Sequence, residues 1–122
     1  MRATQKIITS FLKKRGWDTR AIPANYAKSI SIEAAELLEL FQWRDISTDE
    51  LLKNKALLKS VKHELADIII YCLDLASLLK IDPDKIVREK MLYNEKKYPV
   101  RAIREDPSNY EKIKKAFRGK RK

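Results

Sequence analysis

Apolar residues along this 122-residue chain recur at three- and four-residue spacings, the signature of amphipathic helices. Ile7, Ile8, Phe11 and Leu12 form one stripe on a first helix from about Thr4 to Arg15, which Gly16 ends. Trp17 to Ala24 read as a loop, because Pro23 disfavours helix at the residue before it. A second helix from about Asn25 to Phe41 contains IEAAELLELF, rich in residues that lose least on entering a helix. Ser47-Thr48-Asp49-Glu50 has the form of a capping box and opens a third helical region. That region breaks near Asn54, and its long piece runs to about Leu79 with Leu58, Val61, Leu65, Ile69, Cys72 and Leu79 inward. Asp82-Pro83 caps and opens a fourth helix, which reaches about Tyr98 and stops at Pro99. Asp106-Pro107 repeats that signal before a short fifth helix through about Phe117.

The expected architecture is an all-α bundle. Its third helix is apolar nearly all round at Ile68 to Leu73, which suits a core larger than one chain provides and predicts a homo-oligomer. Two Gly and four Pro leave little material for the tight turns of a β-fold. With Gly16 and Gly119 the only glycines, no glycine-rich loop can wrap a phosphate. One Cys (Cys72) and one His (His63) exclude an internal disulfide and a structural zinc site, so a reducing cytoplasm is the expected compartment. The longest apolar run has six residues against the roughly 20 of a membrane helix, and no signal-peptide core is present.

The formal net charge of +10 sits at the two ends. Residues 1–20 carry six basic side chains against one acidic, and residues 101–122 carry nine against three. The run KIKKAFRGKRK reads as a basic extension, a short helix and a solvated, disordered tail, following a domain of residues 1–100.

Against this basic background, Glu33 and Glu36 stand three residues apart on the second helix, which sets their Cβ atoms about 5 to 6 Å apart on one face. Glu64 and Asp67 repeat the spacing on the third, with Tyr71 and Asp74 continuing the row. A single such pair is commonplace on a solvated helix. Two pairs, each beside its helix's apolar stripe, repel one another and need compensation. A hard divalent cation, Mg²⁺ or Mn²⁺, suits oxygen-only ligands and shares its coordination with substrate phosphates. A carboxylate-bridged di-iron site would need Glu-x-x-His, and Ser60 precedes His63 by three residues.

The runs IEAAELLELFQW, HELADIIIYCLDLA and KMLYNEKKYP together resemble the MazG-like all-α nucleoside triphosphate pyrophosphohydrolases, most closely their dCTP pyrophosphatase branch. The resemblance implies a four-helix-type bundle assembled as a homodimer or homotetramer. It implies Mg²⁺ at Glu33, Glu36, Glu64 and Asp67, and cleavage of a nucleoside triphosphate to the monophosphate and pyrophosphate. The ions would bridge triphosphate oxygens and orient a water for attack at the α-phosphorus, with Glu33 or Glu36 accepting its proton. Also by resemblance, Trp17, Trp43 and Tyr71 line a nucleoside pocket, and Lys90 and Asn94 contact phosphates.

Two family histidines fall at Ile8 and Ala21 in this chain, which weakens the expectation of cytosine preference; Arg20 is the candidate substitute. The resulting expectation is clearance of dCTP or non-standard dNTPs from the nucleotide pool. The alternative is a helical nucleic-acid-binding or regulatory module acting through the basic ends, which accounts for the charge but leaves the paired acids unexplained.

Overall fold

Gly16 takes φ 66° and ψ 17°, the left-handed conformation that glycine adopts without steric cost, and so ends the first helix, α1 (Arg2–Lys14). The computed structural model describes residues 1–121, apart from the side chains of Arg20 and Arg121, and among them every regular element is helical. The expected loop after Gly16 is instead a 3₁₀ turn, Trp17–Arg20, fastened by the Thr19 hydroxyl donating to the Gly16 carbonyl at 2.9 Å. The Arg20 side chain lies outside the described residues.

Proline then acts as the sequence suggests, two residues earlier than predicted. Ile22 is extended, and Pro23 occupies the first turn of α2 (Pro23–Glu39), where its missing N–H is no loss. The helix closes at Glu39 and not Phe41, because Leu40 and Phe41 donate to carbonyls three residues back and tighten the last turn. Ser47 caps α3 (Thr48–Lys53) by accepting from the Glu50 amide at 3.2 Å. Asn54 ends α3 and caps α4 (Lys55–Leu78), its Oδ1 accepting from the Leu57 amide at 3.1 Å. Past α4, Lys80 adopts φ 57° while the Ile81 amide donates to Ala76 at 2.8 Å, a Schellman closure without glycine.

The residues group into two compact units, Met1–Pro83 and Asp84–Lys122. In the first, α2 lies along α4 and α1 packs on the C-terminal half of α4, where Gln5 Nε2 donates to Ser77 Oγ at 3.1 Å. The core is small: Leu57, Leu73 and Ala76 are its buried hydrophobics, joined by one buried acid, Asp74. The expected inward stripe of α4 needs correction. Leu58 and Val61 are half-buried, but Leu65, Ile69, Cys72 and Leu79 are exposed. Apolar residues surround α4 on most sides, so periodicity could not say which face the neighbouring helix covers. The covered face is the one bearing Glu64, Asp67, Tyr71 and Asp74.

In the second unit, α5 (Pro83–Lys97) stops before Pro99 as expected. Two helices follow, α6 (Val100–Glu105), which the sequence did not announce, and α7 (Asn109–Arg121). The basic run is helical through Arg121, four residues beyond the predicted end. Phe117 meets the Tyr93 ring edge-on at 6.0 Å, and Tyr98 stacks on Tyr110 at 5.1 Å, so α7 is held by aromatic contacts.

Candidate metal centre and adjoining cleft

α2 and α4 bring Glu33, Glu64 and Asp67 together: one carboxylate oxygen from each lies within 4.8 Å of the others. Glu36, a turn along from Glu33, is exposed at the margin and hydrogen-bonds to both Glu33 and Glu64. One oxygen of Glu33 and one of Glu64 are buried without a hydrogen-bond partner among the described residues. Unpaired buried oxygens carry a desolvation cost that a protein rarely leaves standing.

The electrostatics match that geometry. The hydrogen bond with Glu36, then burial, then the charges of Glu36, Asp67 and Glu64 push the Glu33 carboxyl up to about 7. Burial first, and then Glu36 and Asp67, raise Glu64 as well. Three converging acids, two of them with an orphaned buried oxygen, offer the oxygen-only donor set of a hard divalent ion, so these residues fit Mg²⁺ or Mn²⁺.

Beside the acids opens a cleft of about 390 Å³ in the first unit, with Asp67 in its wall and therefore shared with the acidic cluster. Phe11, Trp17, Tyr26 and Tyr71 supply aromatic surface. The Trp17 ring meets Phe11 edge-on at 5.9 Å, and Tyr26 lies 6.5 Å from Tyr71 at 47°. Asp74, 5% exposed, lies in the same wall, and burial pushes its carboxyl up to about 6. Burial and the charges of Asp74 and Asp18 likewise raise the Tyr26 phenol.

Of the residues singled out by sequence, Glu33, Glu64 and Asp67 form the cluster, with Glu36 bonded to it, and Trp17 and Tyr71 line the cleft. Trp43 sits in the turn after α2, 88% exposed and outside that lining. Lys90 and Asn94 lie one turn apart on α5 in the second unit, where Lys90 Nζ stands 4.4 Å from the Tyr93 ring centre and the Asn94 carbonyl accepts from the Tyr98 amide. Ile8 and Ala21, where two family histidines would fall, both line the cleft. Sequence reasoning missed Tyr26, and it placed Asp74 in the acidic row without giving it a role. The i, i+4, i+7 spacing of Asp67, Tyr71 and Asp74 was the available signal.

The model of the MazG-like family matches residues 28–113, which include Glu33, Glu36, Glu64 and Asp67. The chain belongs to the MazG-like family. The MazG-like chain is 30% identical over 107 residues to dCTP pyrophosphatase 1 of Bos taurus, covering 87% of this chain and 63% of that protein. It is 27% identical over 110 residues to dCTP pyrophosphatase 1 of Homo sapiens, covering 89% and 65%. The chain thus spans a little under two-thirds of the length of these relatives. Among solved structures, a pyrophosphatase from Archaeoglobus fulgidus DSM 4304 is 42% identical with a TM-score of 0.73, covering 81% of this chain and 92% of that one. No helix among the described residues is long and apolar enough to cross a membrane.

Proposed function

We propose that this MazG-like chain hydrolyses deoxynucleoside triphosphates to the monophosphate and pyrophosphate with a divalent cation, Mg²⁺ or Mn²⁺, held by Glu33, Glu64 and Asp67 with Glu36 completing the set. The observation that carries the reading is the convergence of three carboxylates, two with orphaned buried oxygens, at the mouth of an aromatic cleft. The names of the dCTP pyrophosphatase relatives and of the archaeal pyrophosphatase support the reaction class.

When bound, the cation supplies charge neutralisation to the triphosphate and to the departing pyrophosphate. The chain's own residues do the rest. Glu33, Glu64 and Asp67 fix the position of the phosphates relative to α2 and α4. Glu33 or Glu36 accepts the proton of the water that attacks the α-phosphorus. Trp17 and Tyr71 offer ring faces to the base, so the cleft orients the nucleoside while the acids hold the phosphate end.

The exposed large apolar side chains of the first unit support assembly into a homodimer or homotetramer. Ile7 is 71% exposed and Leu38 70%, and Ile32, Leu65 and Ile69 are exposed as well. House-cleaning of a cytoplasmic nucleotide pool, dCTP or non-standard dNTPs, is the expected setting. Incubation with a dNTP panel and Mg²⁺ tests the reading. It expects pyrophosphate and monophosphate, and release of orthophosphate and diphosphate would contradict it.

A further inference from the structure

One row on α4 runs through Glu64, Asp67, Tyr71 and Asp74, all on the face that packs towards α2. It begins at the acidic cluster and ends inside the cleft, since Asp67, Tyr71 and Asp74 all line the cavity. Asp67 and Asp74 are seven residues apart, roughly 10 Å of helix at 1.5 Å per residue. That separation is of the order of the span of a nucleotide from its phosphate to the far edge of its base. A substrate with its phosphates at Asp67 and its base on Tyr71 therefore brings the base edge to Asp74.

We propose that Asp74 is the base-selecting residue of this cleft, and that it favours cytosine and adenine, whose exocyclic amine stands where uracil, thymine and hypoxanthine carry an oxo group, over those oxo counterparts. The inference rests on the reading of the site as one for nucleoside triphosphates. An ionised carboxylate only accepts hydrogen bonds. The amines of cytosine and adenine donate at the position where uracil, thymine and hypoxanthine present a carbonyl oxygen. A carbonyl set against Asp74 would leave two acceptors facing each other out of water, the arrangement from which large discrimination arises.

Asp74 is also an expensive residue to keep there. It is 5% exposed, and burial is the cause of its raised pKa, with no donor among the described residues offsetting it. A ligand N–H would supply that donor. Ile8 and Ala21 in the same wall are apolar and offer the base no competing polar contact.

The test compares substrate pairs differing only in this group, dCTP with dUTP and dATP with dITP, in the wild-type protein and in Asp74→Asn, whose amide can donate to a carbonyl. Isothermal titration of dCMP and dUMP provides a readout independent of turnover. The wild-type protein is expected to prefer the amine member of at least one pair by about tenfold or more, the pair identifying the base. Asp74→Asn should lower that kcat/KM ratio at least about tenfold through KM, with kcat for the amine substrate within about twofold. Wild-type ratios near one in both pairs, or a ratio unmoved by the substitution, overturn the proposal. Wild-type ratios near one overturn the proposal whether or not the variant folds. Discrimination between dCMP and dUMP without hydrolysis of any triphosphate would sustain Asp74 and overturn the hydrolase reading instead.

Discussion

Glu33 on α2 and Glu64 on α4 approach across the helix pair with carboxylate oxygens within 4.8 Å, and each buries one oxygen without a hydrogen-bond partner among the described residues. Such an arrangement is unfavourable in the absence of a cation. Glu64→Gln should therefore raise the melting temperature of the metal-free protein while abolishing turnover. Thermal unfolding followed by circular dichroism, with and without saturating Mn²⁺, checks this: the ion should stabilise the wild type and leave the variant nearly unmoved. A variant less stable than the wild type without metal would make Glu64 a structural residue.

Asp67→Asn and Glu36→Gln should each lower kcat/KM for the preferred dNTP by at least about 100-fold without loss of helicity. Far-UV circular dichroism separates the two effects. Activity within a few-fold of wild type for Asp67→Asn would remove the link between the acidic cluster and the cleft.

Trp17→Ala should weaken nucleotide binding by about 1 to 3 kcal/mol, the range for loss of base stacking on an aromatic ring. KM should carry most of the change if, as proposed, the ring faces the base and not the phosphates. Steady-state kinetics distinguish this from a purely structural role, in which kcat would fall with stability.

Asp74 gives the protein a pH signature separate from catalysis. Its folded pKa of about 6 exceeds the ordinary 3.8, so the folded state holds the proton more tightly than the unfolded state does between these values. The favourable contribution is present below about 3.8 and is lost as pH rises through 6. The melting-temperature difference between Asp74→Asn and wild type should grow from pH 4 to pH 6.5 in favour of the variant. A difference that is flat with pH would contradict the assignment.

Ser47→Ala and Asn54→Ala should each cost about 1 kcal/mol of stability, the usual loss of a helix N-cap. Chemical denaturation measures this directly, and each change should leave nucleotide affinity unaltered.

Much of this was legible in the sequence, for local reasons. Gly16, Pro23, Ser47, Asn54 and Pro83 each constrain the backbone through their own chemistry, so helix starts and breaks fell within about two residues of their observed places. The acidic pairs were legible because helical spacing alone sets residues three apart on one face. The packed face of α4 was not, since Leu65 and Ile69 look as inward as Val61 until α2 is in place. Lys80 ends α4 in a left-handed conformation where glycine would have signalled it. α6 was obscured by Pro99, which reads as a stop; it is held by an Arg101–Glu105 pair at 3.0 Å and by Asn109 Nδ2 donating to the Ala102 carbonyl at 2.8 Å. The burial of Asp74 depends on α1 and the 3₁₀ turn closing the cleft, a tertiary event that no local motif announces.

The measurement that bears most directly on the central claim is hydrolysis of dCTP with Mg²⁺ in ¹⁸O-labelled water, followed by ³¹P NMR. The account predicts pyrophosphate and dCMP, the label entering dCMP alone, and no products from Asp67→Asn. Label in pyrophosphate, release of orthophosphate, or undiminished hydrolysis by Asp67→Asn would contradict it.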